Sequence, residues 1–138
     1  MSDANLHKEM DLLQSCINRM ANNSFLIKGW AITITSLILT LSKGSCISFV
    51  TLLPIAAFCY LDAYFLRLER IYRTRYEWVI KNRSNNSNGI YDLNPNNFGL
   101  PQNDMSSMFS VMKSEALMPF YVVLFALTAV ISILLLKV

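Results

Sequence analysis

CYLDAYFLRLERIYRTRY (residues 59–76) begins in an apolar run and ends in a basic one. Asp62 sits just inside the apolar end. Arg67, Arg70, Arg73 and Arg75 follow within nine residues, with Tyr64, Tyr72 and Tyr76 among them. No Gly or Pro interrupts the stretch, so one helix can carry both characters. The fold turns on whether its apolar side belongs to a soluble core or to a membrane span.

The bulk composition favours the membrane. Of 138 residues, 54% are apolar and 15% are charged. A soluble chain this short leaves about a third of its surface exposed and has little capacity to hide so much apolar area. Three uncharged or nearly uncharged runs are long enough to cross a hydrocarbon core of about 30 Å. They cover 25–42, interrupted by Lys28; 45–61, extending to 66 past Asp62; and 116–136. The expected fold is an all-α membrane protein with three transmembrane helices.

Four residues, SKGS at 42–45, join the first two spans and predict a tight helical hairpin. Pro119 falls in the first turn of span three, where its missing N–H costs nothing. Pro54 falls inside span two and predicts a bend, static or serving as a gating hinge. Ten basic residues flank the spans on one side, against Lys43 and Lys137 on the other. The positive-inside rule then places the N-terminus and the long middle segment in the cytoplasm, and the hairpin tip and C-terminus outside. No secretory signal peptide or lipidation motif is expected.

Residues 1–24 read as a cytoplasmic amphipathic helix. Leu6, Met10, Leu13, Ile17 and Met20 form its seam, with Lys8, Glu9, Asp11 and Asn18 off it. That seam suits a second subunit, the chain's own basic helix, or the membrane surface. Residues 25–66 form the hairpin of two spans. Residues 67–83 continue span two as a long basic cytoplasmic helix, with Glu69–Arg73, Arg73–Glu77 and Glu77–Lys81 available as pairs. Residues 84–103 are an Asn-rich loop that Ile90, Tyr91, Leu93, Phe98 and Leu100 could tack to the helices. Residues 104–115, capped by Asp104 or Ser106, predict a short amphipathic helix with Met105, Met108, Phe109 and Met112 on its apolar face. Residues 116–138 hold span three.

Enzymatic chemistry is not expected: no nucleophile–base pair, phosphate-cradling Gly loop or HExxH is present. Cys16, Cys46 and Cys59 lack metal or disulfide spacing, and His7 has no second ligand beside it. No cofactor is expected. No internal repeat points to a transporter.

Asp62 and Lys28 both lie about one turn inside the cytoplasmic end of their spans. An antiparallel hairpin brings them to similar depth, so they are expected to pair, because a lone charge there is costly. The pair could lock the hairpin, or Asp62 could face a water-filled path and attract cations. The arginines could anchor topology against anionic lipid. Alternatively Arg67, Arg70, Arg73 and Arg75, with Tyr72 and Tyr76, could bind phosphates and bases through guanidinium forks and ring stacking. Thr33, Thr35, Ser36 and Thr40 could line a shared pore or pack against neighbouring helices.

NRMANNSFLIKGWAITIT followed by LPIAAFCYLDAYFLRLERIYRTRYEWV resembles the small transmembrane effectors of bacterial anti-phage defence, the Hailong-system effector being the nearest. The likeness covers about residues 18–79. It implies that Asn23, Lys28, Trp30, Asp62, Arg67, Glu69, Arg70 and Arg73 form the characteristic core. It also implies a homo-oligomeric ion channel, a tetramer favoured, that depolarises the inner membrane. Its signal would be a nucleotide or single-stranded DNA oligomer made by a partner nucleotidyltransferase. The rival expectations are a non-channel adaptor docking an acidic protein or lipid, and a ligand-independent membrane toxin.

Overall fold

Two helices dominate the computed structural model, which describes residues 3–41, 50–83, 89–98 and 107–135. The first, α1 (Asp3–Leu41), runs 39 residues without a break, roughly 58 Å at the rise of an α-helix. Nothing separates the amphipathic segment from the apolar one: no Pro occurs, and Gly29 is too isolated to stop a helix this long. The expected boundary at residues 24 and 25 is thus a change of surface within one helix. The second, α2 (Leu52–Asn82), spans 31 residues and packs antiparallel along α1.

Pro54 corrects the sequence reading. It is the third residue of α2, inside the first turn, where no backbone N–H has an internal partner. There it breaks no internal hydrogen bond, so the expected bend inside the helix is absent. The expected SKGS link lies outside the described residues.

The N-terminal seam folds onto the chain's own basic helix. Leu13, Cys16, Ile17 and Met20 of α1 form one buried cluster with Ile71, Tyr72 and Val79 of α2, joined by Phe98. Leu6 and Met10 flank it. Glu9 is not off this seam, as its charge suggested, but 1% exposed. Its carboxylate accepts from Arg83 Nε at 2.7 Å and from the Arg83 NH2 group in a two-pronged pair. Arg83, following α2, is also buried, and its guanidinium lies over Trp78. This clasp joins the outer ends of the two helices.

Residues 89–98 close over α2. Asp92 accepts from Asn94 N and Asn97 Nδ2, and Asn94 Oδ1 accepts from Asn96 N at the head of a 3-10 turn, Pro95–Asn97. Tyr72 OH donates to Leu93 O at 3.0 Å, and its ring meets the edge of Phe98. Tyr91 holds a left-handed φ of 62°, tied down by its hydroxyl on Asn5. Of the expected tacking residues, Leu93 and Phe98 join the core; Leu100 lies outside the described residues.

A short helix, α3 (Met108–Met112), precedes a turn at 113–117 and then α4 (Met118–Leu135). The expected helix over 104–115 does not run on into the last apolar segment. Pro119 is the reason: its ring would strike the carbonyl of Glu115 in a continuous helix, so the chain restarts with Pro119 in the new first turn. The proposed caps, Asp104 and Ser106, lie outside the described residues. A second apolar cluster joins Ala31, Ile55, Ala63, Val111, Leu117 and Tyr121, uniting all four helices.

The surface divides along the long axis. Phe25, Trp30, Leu37, Leu41, Leu53, Tyr60, Val122, Phe125 and Leu134 are all more than two-fifths exposed. Within 25–41, 50–66 and 118–135, the charged residues are Lys28 and Asp62 alone. Residues 4–41 contain one stretch long and apolar enough to cross a membrane, and residues 118–134 form a shorter apolar helix.

Two predictions test this packing. Replacing Glu9 by Ala strands a buried guanidinium, so unfolding in detergent should be easier by roughly 3–5 kcal/mol. Arg83→Ala should cost a similar amount, and the double variant clearly less than the sum. Additive losses would show that the two groups do not act as a pair. The hydrogen bonds from Asn94 and Asn97 hold the Asp92 carboxyl below its ordinary range. A depressed carboxyl stabilises fully above its unfolded value and loses that effect as pH falls through its folded value. Amide exchange at Asn94 and Asn96 should therefore be protected at neutral pH. That protection should fade only below about pH 3.9, and Asp92→Ala, which removes the acceptor, should lose it at every pH.

Candidate functional site

Between the two apolar clusters, α1, α2 and α4 meet at a polar node. Asp62 is fully buried. Its Oδ2 lies 2.6 Å from Lys28 Nζ, and its Oδ1 accepts from Ser24 Oγ. Lys28 Nζ also donates to Ser24 Oγ at 2.9 Å, closing a triangle one helical turn high on α1. From α4, Tyr121 OH reaches Asp62 Oδ2 and Phe58 O, each at 3.2 Å.

Each partner follows from local helix geometry. Ser24 and Lys28 stand four apart and share a face. That face continues the seam: from Leu13, Ile17 and Met20, steps of four and three reach Ser24, Ile27, Ala31 and Thr35, all buried. Phe58 and Asp62 are likewise one turn apart on α2. Tyr121 sits in the first turn of α4, where its N–H bonds Leu117 O from the preceding turn. One carboxylate thus holds three helices, and its two oxygens take one ammonium and two hydroxyls. Charge is neutral across the node, which is the condition for keeping Asp62 dry.

Of the residues expected at a pore or gate, Lys28 and Asp62 come together here. Thr33 and Thr40 do not. Both are exposed on α1, their hydroxyls bonded to Gly29 O and Ser36 O of their own helix. Thr35 is buried with no partner for its hydroxyl. Pro54 lies in the first turn of α2, at the far end from the basic face.

The expected ligand residues also divide. Arg75 is buried, with its guanidinium 4.6 Å from the Trp78 ring centre and 5.1 Å from that of Phe98. Burial, and then neighbouring Arg83, pull it below the ordinary arginine value, against the fields of Glu9 and Asp92. Tyr72 is buried and its hydroxyl spent on Leu93 O; burial raises its pKa. Arg73 turns to Glu69 at 2.7 Å rather than to Glu77, which faces Lys81 at 3.9 Å. Tyr76 packs beside the first core cluster. Arg67 and Arg70 remain, three residues apart on α2. Arg67 Nε is buried and has no hydrogen-bond partner.

Sequence reasoning missed Ser24 and Tyr121. The extended seam locates Ser24, whereas nothing local marks Tyr121, whose partners are 59 and 63 residues away. Comparison with family models, with curated proteins and with solved structures gives no match.

The node makes a quantitative prediction. Asp62→Asn keeps the shape but leaves Lys28 without a counter-charge. Lys28 retains 24% side-chain exposure, so the cost should be about 2–4 kcal/mol, the softer part of the range for a broken buried pair. Tyr121→Phe removes one hydrogen bond and should cost about 1 kcal/mol. Adding Lys28→Met to Asp62→Asn should restore much of the loss, read from unfolding midpoints in detergent. A double variant weaker than Asp62→Asn alone would reject charge neutrality as the reason for the pair.

Proposed function

We propose that this chain is a three-span protein of the bacterial inner membrane, with a cytoplasmic N-terminus and periplasmic C-terminus. It works as a homo-oligomeric ligand-gated ion channel, a tetramer favoured, in anti-phage defence. In this reading residues 25–41 of α1, the apolar start of α2, and α4 cross the bilayer. The hairpin formed by 3–24 and 67–83 stands in the cytoplasm. It senses an anionic nucleotide or single-stranded DNA oligomer, supplied by a partner nucleotidyltransferase, and the open channel depolarises the membrane.

The observation that carries the reading is the position of the Lys28–Asp62 pair. Among the described residues it is the sole charged contact in the apolar half, it lies where that half meets the charged half, and it ties three helices. Ionisable groups at such depth belong to functional positions by default, because lipid penalises them. Any shift of the cytoplasmic hairpin relative to α4 must pass through this node. The exposed hydroxyl face at Thr33 and Thr40 and the broad apolar surface of α4 support assembly. A three-helix chain encloses no aqueous path, so a pore forms between copies. The resemblance of residues 18–79 to defence effectors supplies the physiological setting.

Current from purified protein in planar bilayers tests this directly. Protein alone or with short oligodeoxynucleotides should conduct, and the two conditions should differ in open probability. Asp62→Asn should abolish that difference, with unitary conductance moving less. A silent bilayer holding a verified oligomer under every condition would overturn the channel and leave an adaptor that docks an acidic partner on α2.

A further inference from the structure

A small cavity of about 210 Å3 lies on α2 just beyond the node, lined by Tyr64, Arg67, Leu68, Ile71, Pro95 and Asn96. Residues 64, 67, 68 and 71 recur at helical spacing on one side of α2. The far wall is the 3-10 turn at Pro95–Asn97. The geometry points to a phosphate-group site here, with the Arg67 guanidinium as its cationic anchor and the Asn-rich turn as its rim. This deepens the proposed sensing role of α2 and rests on that basic helix facing the ligand, though not on the channel conducting.

Three observations converge on it. Arg67 Nε is shielded from water yet donates to nothing. Leaving such a donor unmade costs about 1–3 kcal/mol, more beside a charge, so an anionic oxygen entering the cavity meets a donor already desolvated. Secondly, most of the other cations along α2 are committed, leaving Arg67 with Arg70 one turn away. Arg73 is held by Glu69, Arg83 by Glu9, and Arg75 lies between Trp78 and Phe98. Arg67 has no carboxylate partner among the described residues and so keeps its charge available.

Thirdly, the rim is built before any ligand arrives. Asp92 and Asn94 fix the turn through Asn94 N, Asn97 Nδ2 and Asn96 N. Tyr72 OH anchors it to α2 through Leu93 O. Pro95 further restricts the backbone. Asn96 is exposed at the mouth, where its amide can donate to a second oxygen, and Tyr64 gives a partly exposed ring for a sugar, base or glycerol group. The loss of chain entropy on binding is correspondingly small.

A phosphate group could arrive on a soluble ester or on a lipid head group, and the experiment separates them. The full chain is reconstituted in phosphatidylcholine nanodiscs and titrated calorimetrically with inorganic phosphate and adenosine 5′-monophosphate. A second set of nanodiscs contains phosphatidylglycerol, and the shift in thermal unfolding is read. The wild-type chain should bind the soluble probes or gain stability from the anionic lipid. Arg67→Gln should weaken that response tenfold or more, Arg67→Lys less, and Asn96→Ala by a smaller factor. Lys81→Gln, on exposed α2 surface, should match wild type.

Response to the soluble probes assigns a soluble ester; response to phosphatidylglycerol alone assigns a head group. Equal responses from Arg67→Gln and Lys81→Gln, or none from the wild type, would overturn the site. Asn96→Ala tests the rim without touching α2, so a folding defect in Arg67→Gln cannot mimic the result. Arg67-dependent binding in a protein that carries no current would preserve the site and reject the channel. A ligand-dependent current unmoved by Arg67→Gln would do the reverse.

Discussion

Asp62 has to be neutralised, and the way it is neutralised sets the register of the hairpin. Lys28 is the only cation in the apolar stretch of α1, so the two helices align where these groups meet. From Lys28 back to Glu9, and from Asp62 on to Arg83, the chain travels nearly equal lengths, roughly 29 Å and 32 Å at the α-helical rise. One register therefore forms both buried ion pairs. A slip of one turn, about 5.4 Å, would separate both and strand four charges. Apolar seams alone tolerate such slips; paired charges at two distant levels do not. This is the physical sense in which two costly ion pairs specify the structure whatever their net contribution to stability.

The division of labour along the hairpin follows. Beyond the node, toward Leu41 and Leu53, side chains exposed on α1, α2 and α4 are uncharged, and apolar but for a few hydroxyls on α1 such as Thr33 and Thr40. On the other side, Glu9, Arg75 and Arg83 are buried in a region whose surface carries ordinary charge. Burying three ionic groups there works because each has partners, although Arg75 Nε itself donates to nothing among the described residues. Glu9 and Arg83 satisfy one another, while Arg75 exchanges water for two aromatic faces and the carbonyl of Gly89. Residues 89–98 of the Asn-rich segment are thus part of the fold of α2.

Much of this was legible from the residues. The absence of Gly and Pro after Asp62 foretells a helix running to Asn82, and equal depth in a hairpin foretells Lys28 against Asp62. The seam of Leu13, Ile17 and Met20 foretells an apolar contact, though three partners fitted it until the structure selected α2. What misled was treating charge as a sign of exposure. Glu9 looked like an off-seam residue because its partner lies 74 residues away, and no local rule pairs them. Arg75 and Tyr72 looked like ligand contacts because arginine–tyrosine runs suit nucleic acids. The same chemistry suits an internal cation–π stack, and the loop that supplies Phe98 claims them first. Pro54 shows a different difficulty: the effect of a proline depends on where its helix starts, and an uncharged run gives no such mark.

The node also constrains how a signal could travel. α4 joins the hairpin by its first turn, through Tyr121, Leu117 and the cluster around Ala31 and Ala63. Farther along, α1 and α4 part around an open apolar groove of about 540 Å3 lined by Ile32, Leu39, Leu127 and Ile131 among others. Beyond the first turn α4 keeps one packed face, with Thr128 and Ser132 buried, and exposes the rest. In the channel reading, rearrangement of the cytoplasmic hairpin would bear on Asp62 and reach α4 through Tyr121. At the far end of α4, outward residues such as Val130, Ile133 and Leu134 would meet lipid or another copy. The single carboxylate is then the link between hairpin and α4, and the charge neutrality of its node is what lets it stay inside an apolar environment.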